Sequence, residues 1–576
     1  MKRRNFIGAI AGGTAILSTP LVGFGKSVET KAINQNNDSV GSLVADAVVI
    51  GGGLGGFAAT YALLRNNKTV ILTEETDWIG GQLTQQGVPP DENLWIEFTG
   101  ATQTYQDFRN AIRDYYRQYY PLTDEAKKNP LLNPGDGAVS KLCHEPKVAL
   151  AVLNNMLTQY ISSKRLVLLL NHKVLSAEVN GDFVKSVIVK NLQNNKNIKL
   201  TAPYFVDATE LGDLLPLTGA EFVTGTESKN ETGEIHAPEK ANPNNVQSFT
   251  TCFAMDYVPG EIHTIQKPPD YDFWKNYVPD LNPPWPGKLL SLQYTHPSTL
   301  QPKMLGFDPT GAAIEGTLNL WNYRKIISKN NFNPGTYSGD ITIVNWPQND
   351  YMLGNLIGSE EGFTKHLEAS KQLSLSLLYW LQTEVPRADG GKGWPGIRLR
   401  NDIMGTVDGL AKYPYVRESR RIKAMFTIRE EHVGKENFDM VSSKTNTIAA
   451  HFYDSVGIGY YHIDLHPTCG GVNYVDFPSL RFQLPLGALL PVRIKNLLPA
   501  NKNIGTTHIT NGCYRLHPVE WSIGEAVGSL ISFSLRQNTT PHETRSNNKQ
   551  LKDFQAFIKT QGIETEWPGE EKLRID

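Results

Sequence analysis

The sequence predicts an α/β fold in which a parallel sheet with an attached antiparallel meander is interleaved with an α+β region. Three observations carry this expectation. A glycine turn, Gly51, Gly53 and Gly56, stands between an apolar run at 45–50 and a helical stretch at 57–64. A second apolar run at 69–73 ends on an acid, Glu74, at about the ~20-residue spacing such units use. Further apolar runs at 166–170 and 204–209 can join the same sheet, while 174–200 reads as a meander turning at Asn180-Gly181 and near Asn194-Asn195.

The first unit has a physical reason at each position. Gly51 permits the tight turn, Gly53 lets a pyrophosphate approach the backbone, and Gly56 lets helix and strand pack closely. The helix N-terminus presents free amides and the positive end of its dipole to the phosphates. Glu74 stands where a carboxylate can accept hydrogen bonds from a ribose. Strand, turn, helix, strand and acid in this order make a Rossmann-like dinucleotide unit, which a glycine turn alone would not.

The remaining elements follow in chain order. Lys2-Arg3-Arg4-Asn5-Phe6-Ile7 resembles the twin-arginine export motif. The apolar stretch behind it, 7–24, is broken by Gly8, Gly12, Gly13 and Pro20, so no stable membrane span is expected. Residues 1–44 are read as this export signal and a linker, polar at 27–41, and the protein as exported, periplasmic or extracellular. The dinucleotide domain opens at 45–235, with helical spacing at 98–120 and a buried parallel strand at 166–170. Residues 236–480 form a substrate or cap domain. There 249–257 alternates as a strand, 267–300 is crowded with proline and aromatic residues, and 361–384 reads as a long helix. Residues 481–540 return to the cofactor domain through a last strand at 496–500 and a final helix at 519–535. Residues 541–576 read as a polar, peripheral tail.

Composition narrows the function. A chain of 576 residues is too long for one small core, which favours two closely associated domains. A net charge of -2 without a basic stripe gives no case for nucleic acid. The four cysteines, Cys143, Cys252, Cys469 and Cys513, lie far apart with no CxxC pair, so no metal centre is expected, while a disulfide stays open.

Three segments point to FAD rather than NAD. Asp77-Trp78-Ile79-Gly80-Gly81-Gln82-Leu83 places a glycine pair after the second strand, where backbone can close over a pyrophosphate. Ala208-Thr209 ends a strand at the cofactor edge. A loop at 500–512 leads to a helix starting near Pro518, whose N-terminus can stabilise charge on a reduced flavin. No second glycine fingerprint follows another strand, so a separate NAD(P)H domain is not expected. Together these segments resemble the FAD-dependent oxidoreductase family of glutathione-reductase-like flavoproteins, in particular the secreted bacterial group often labelled xanthan lyase. The resemblance covers about 45–535 and rests most on 76–84, 415–421, 463–467 and 505–528, including Thr507-His508 and Arg515. It implies a two-domain fold with bound FAD, a Rossmann-like FAD-binding domain and an interleaved substrate domain. His462 and His517 depart from its pattern, standing where a proline and an apolar residue are common.

The candidate cofactor contacts are Gly51, Gly53, Leu54, Gly56, Glu74, Gly80, Gly81, Gln82, Ala208, Thr209 and Asn511. The candidate catalytic residues are His508, Arg515, His517 and His466. Histidine suits a base near neutral pH, and an arginine can bind a carboxylate or a reduced flavin anion. His462, Asp464 and His466 alternate and would share one face of a strand, for substrate, for packing or for a metal. In 415–421 an alternating strand would put Glu418 and Arg420 on one face and Arg417 and Arg421 on the other, an arrangement that favours a structural ion network. The expected function is oxidation of a small organic substrate by hydride transfer to flavin, with electrons passing to oxygen, a quinone or a redox carrier. The alternatives are a non-catalytic glycan- or partner-binding protein on a flavoprotein fold, or a polysaccharide lyase.

Overall fold

The computed structural model describes residues 34–36, 41–436, 448–569 and 573. The export motif and the apolar stretch after it lie outside the described residues. The first apolar run forms the strand Ala47–Ile50, buried at all four positions. A run without alternation suits a strand covered on both faces. It lies at the centre of a five-stranded parallel sheet in the order Leu497–Pro499, Tyr204–Asp207, Ala47–Ile50, Val70–Glu74, Leu166–Leu170. Leu166–Leu170 is the sheet edge and buries only Leu166 fully, so it is less enclosed than its unbroken leucine run predicts.

Helix Leu54–Arg65 follows the glycine turn and packs on helix His517–Gln537. Glycines permit that approach. A Cβ added at Gly55 would sit 1.6 Å from the Ala500 carbonyl oxygen, and one at Gly524 2.0 Å from that of Gly55.

The meander forms as its turn residues predict, from His172–Asn180, Phe183–Asn191 and Asn197–Thr201. Gly41–Val44, which the sequence reading leaves in the linker, pairs parallel with Asn197–Thr201 and is part of this sheet. Four residues are too few to show a period.

The cap sheet runs Lys325–Ile327, Ile341–Val344, Phe253–Tyr257, Ile397–Leu399, all antiparallel. The strand expected at 249–257 divides: Phe249–Thr250 pairs with Asp350–Tyr351, and Phe253–Tyr257 joins the cap sheet. Helix Glu360–Thr383 starts where the Ser359 side chain accepts from the Gly362 amide, and it buries Leu373, Leu377, Leu378 and Leu381 along one stripe. Within the aromatic-rich 267–300, Tyr271, Trp274 and Trp285 join Trp321 and Trp346 in the cap core, so most of that segment's rings are packing.

The tail is not peripheral. Helix Asn548–Lys559 buries Leu551, Phe554 and Ile558, at helical spacing, in the main core. A polar average composition hid a narrow apolar stripe. Among the described residues no helix is long and apolar enough to cross a membrane.

Candidate active site

The loops that follow the parallel strands converge at one edge of the sheet, beside its central strand. Gly51 has φ +98°, and a Cβ there would lie 2.2 Å from the Ala208 carbonyl oxygen. Asn501 Nδ2 donates to that same oxygen at 3.3 Å. Glu74 accepts from the Gly52 and Thr76 amides at 2.8 Å each. Burial pushes its pKa up to about 7, and those bonds offset only part of the rise. Gly51, Gly53, Glu74, Ala208 and Thr209 line one cavity at this edge.

Gly53 caps helix Leu54–Arg65 with extended backbone and no side-chain hydrogen bond. A Cβ on it would meet only side-chain ends, Glu210 Oε1 at 3.0 Å, Asn501 Nδ2 at 3.5 Å and Glu520 Oε1 at 3.7 Å. The glycine pair closes over the turn as expected: a Cβ on Gly81 would be 2.9 Å from Gly53 Cα. Gly56 packs instead, since its Cβ would strike the Gly51 carbonyl oxygen at 1.9 Å, and the Leu54 side chain lies in the core. Gln82 Nε2 donates to Glu520 Oε2 at 2.6 Å and to the Arg515 carbonyl at 3.0 Å.

A buried charged group surrounds this cleft that sequence reasoning missed. Lys502 Nζ bonds Glu210 and lies 3.8 Å from Glu520 Oε2. Burial opposes the lysine's charge, but Glu210 and Glu520 outweigh it and raise its pKa. Burial raises that of Glu520. Several buried polar atoms here have no partner within the chain: Thr73 Oγ1, Gln82 Oε1, Glu210 Oε1 and both amide atoms of Gln86. Buried polar atoms are nearly always bonded in native proteins. Together with a helix N-terminus whose Gly55 amide meets Glu520 Oε1 at 3.3 Å and a turn open at Gly53, these groups fit FAD, whose phosphates, ribityl hydroxyls and ring amide offer matching partners.

A second cavity, of about 220 Å³, is lined by His466, Arg515, Asp464, Arg417, Arg324 and a set of tyrosines. His462, Asp464 and His466 all border it, but only Asp464 lies on strand Ile463–Leu465, paired with Val475–Phe477, and the two histidines stand just beyond its ends. His466 Nδ1 lies 2.6 Å from Asp350 Oδ2, and its Nε2 3.7 Å from Asp464 Oδ2. Burial opposes ionisation of Asp350, but Arg417 at 3.0 Å and His466 outweigh it and lower its pKa. The same contest holds Asp464 far below the usual carboxylate range, through His466 and Arg515. Arg515 donates to Asp464 Oδ2 at 3.0 Å, to the Asp464 carbonyl at 2.9 Å and to the Tyr415 hydroxyl at 3.1 Å. Its own carbonyl takes Gln82 Nε2, so Arg515 joins this cavity to the cofactor cleft.

The other sequence candidates stand elsewhere. Residues 500–512, read as a loop, include helix His508–Tyr514, started by Thr507, whose hydroxyl accepts from the Thr510 amide. His508 Nδ1 lies 3.0 Å from both Glu418 oxygens, and Arg421 bonds Glu418 and Glu227. Burial works against the Glu418 charge, but His508 and Arg421 bring its pKa down to about 2. His517 begins the long helix, wholly buried, with Nδ1 accepting from the Asp91 amide at 3.0 Å. Burial, then Arg324, hold it far below the usual histidine range. Neither histidine borders the His466 cavity. Asn511 Nδ2 donates to the Arg417 carbonyl at 2.9 Å, bracing the backbone there.

Residues 415–421 do not alternate as a strand; only Arg421–Ile422 pairs in a sheet. Arg417 turns to Asp350, Arg420 to Asp213, and Glu418 to Arg421 and His508. Each of these buried charges has a partner of its own, as burial of an ion requires.

His462, Asp464 and Asp476 bring one ligand atom each within 4.8 Å of one another. Asp464 already holds Arg515 at 3.0 Å, and Asp476 lies 3.4 Å from His462 Nδ1, which makes this an ion-paired group. The four cysteines are free thiols.

A family model described as "FAD dependent oxidoreductase" matches residues 46–557. No curated protein matches the chain. Among solved structures, a point variant of the E. coli quinol fumarate reductase subunit FrdA is 11% identical, with 90% of this chain and 74% of that chain covered at a TM-score of 0.31. OxyS anhydrotetracycline hydroxylase from Streptomyces rimosus is 10% identical, with 90% and 68% covered at 0.34. L-proline dehydrogenase from P. horikoshii is 18% identical, but the match spans 34% of this chain and only 26% of that one, at 0.18. Likenesses this distant say nothing about substrate.

Proposed function

We propose that this chain, which belongs to the FAD dependent oxidoreductase family and binds FAD, oxidises a small organic substrate held in the cavity between His466 and Arg515. The observation that carries the reading is His466. A buried carboxylate, Asp350, holds its Nδ1 at 2.6 Å, and the ring borders a cavity that Arg515 links to the cofactor cleft. With Nδ1 facing Asp350, Nε2 is the ring nitrogen left to take a proton.

Dehydrogenation of an O–H or N–H bearing carbon releases a proton and a hydride. Bound FAD supplies the hydride acceptor. His466 takes the proton at Nε2, and Asp350 stabilises the imidazolium that results. Arg515, fixed by Asp464 and Tyr415, positions the substrate and offsets negative charge that develops near the cleft. Electrons then leave to oxygen, a quinone or a redox carrier.

Anaerobic mixing of the holoprotein with sugars, alcohols, amines and hydroxy acids, followed by the flavin absorbance, tests this. His466→Ala is expected to slow bleaching by about 10²–10⁴-fold, to keep its FAD, and to regain part of the rate with added imidazole. An unchanged rate would refute the base assignment. The Lys2-Arg3-Arg4-Asn5-Phe6-Ile7 run supports export. Replacing Arg3 and Arg4 by lysine is expected to retain a reporter fused after residue 44 in the cytoplasm, and undiminished export would count against that reading.

A further inference from the structure

The His466 cavity has an unusual charge arrangement. Three guanidiniums line it, and each already faces a carboxylate of the chain: Arg324 with Asp91 at 3.4 Å, Arg417 with Asp350 at 3.0 Å, and Arg515 with Asp464 at 3.0 Å. A substrate carboxylate entering here would meet guanidiniums whose charge is already balanced, and an ammonium would meet carboxylates that already face an arginine or, for Asp476, His462 at 3.4 Å. Desolvating either without a partner is costly. Arg324, Arg417 and Arg515 each keep a buried Nε–H with no partner in the chain, a donor that a neutral oxygen can also meet.

The uncharged polar groups have a different character. Phenols of Tyr294, Tyr323, Tyr461 and Tyr474 line the cavity. Burial raises the pKa of each and keeps the hydroxyls protonated, able to donate and to accept. The Tyr474 hydroxyl and Asn345 Nδ2 are buried with no partner in the chain. Aromatic faces, including Trp346, and leucines 305, 318 and 320 supply apolar contact beside these groups. A volume of 220 Å³ exceeds that of a cavity of about 150 Å³ that takes up benzene, which is room for one ring.

Resting on the assignment of this cavity as the substrate site, we propose that the substrate is a neutral polyhydroxylated ring, a sugar or a cyclitol. Its hydroxyls each donate and accept, so they can satisfy phenols, Asn345 and the free lone pairs of the paired carboxylates without adding charge. Its C–H faces lie on the aromatic walls. One hydroxyl at His466 is then the group oxidised: Nε2 would take its proton, and bound FAD would supply the acceptor for the hydride of the same carbon.

The test compares D-glucose, D-galactose and myo-inositol with D-glucuronate, L-lactate and L-alanine, by anaerobic flavin bleaching and by isothermal titration of the holoprotein. At least one neutral polyol is expected to bleach the flavin, and its preference over D-glucuronate should be at least about tenfold. Asp91→Asn unpairs Arg324 and is expected to shift that preference toward D-glucuronate while FAD content stays at the parent level. Bleaching by acids or amines without any by the neutral polyols overturns the substrate class and leaves the oxidoreductase reading standing. So does an Asp91→Asn variant with unaltered discrimination. If no neutral polyol binds or bleaches, the class is likewise overturned, and the oxidoreductase reading is judged separately by photoreduction and reoxidation of the flavin.

Discussion

Substitutions at Gly53 and Gly55 should separate cofactor binding from folding. At Gly53 the backbone has φ -61° and ψ -174°, which any residue adopts. Its added Cβ would meet only the ends of Glu210, Asn501 and Glu520, at 3.0, 3.5 and 3.7 Å, and those side chains can move. Gly53→Val should therefore change stability by no more than about 1 kcal/mol. It would, however, hold a pyrophosphate away from the helix amides. Hydrogen bonds to charged groups contribute ~1.5–3 kcal/mol each, so losing two weakens FAD binding by ~3–6 kcal/mol, or about 10²–10⁴-fold. At Gly55 the added Cβ lies 1.6 Å from the Ala500 carbonyl oxygen and 2.7 Å from its carbon. This is backbone at the end of a sheet strand, and overpacking of that kind costs ~1–3 kcal/mol or more. The flavin-to-protein absorbance ratio, FAD titration and thermal unfolding read both effects. Gly53→Val should be colourless yet melt like the FAD-free parent, and Gly55→Ala should melt earlier. A yellow Gly53→Val with parental FAD affinity would refute the placement of the pyrophosphate, and a Gly55→Ala protein with the parental melting temperature would refute the packing argument.

Two further outcomes follow from the buried ions. Arg515→Ala removes the guanidinium that Asp464 and Tyr415 hold in the cavity wall. It should slow flavin bleaching by substrate far more than it weakens FAD retention; equal losses in both, or in neither, would contradict its role. Glu418, with its pKa brought down to about 2, contributes stability that is present above its unfolded value of ~4.3 and is lost as pH falls through 2, worth about 3 kcal/mol. Glu418→Gln should be less stable at neutral pH by ~3–5 kcal/mol, because Arg421 and His508 lose a buried partner, and its stability should fall less steeply than the parent's between about pH 4.5 and 2.5 in that assay. Parallel curves would show that this carboxylate is not the titrating group.

Much of the cofactor half was legible in the chain itself because its signals are local. A positive φ at Gly51, an uninterrupted apolar strand, and an acid one strand later are properties of contiguous residues, and the Gly80-Gly81 closure follows from the same short stretch. The meander was equally local, written in Asn180-Gly181 and alternation. The misread parts are those with short or mixed signals: the four-residue strand Gly41–Val44, the helix His508–Tyr514 built from Gly, Thr and Asn-containing sequence, and the tail helix with its single apolar stripe.

By itself the sequence determined where the chain turns, that the strand before the glycine turn is buried and which type of cofactor the turn accepts, since backbone geometry and periodicity depend on neighbours in the chain. Only the tertiary structure decided which ions are paired. His466 meets Asp350 across 116 residues, Arg324 meets Asp91 across 233, and Lys502 meets Glu210 across 292. No local pattern marks Asp350, Asp91 or Lys502. A buried charge takes its partner from whatever the fold brings within a few ångströms, so the chemistry of the cavity is a property of packing, not of spacing along the chain.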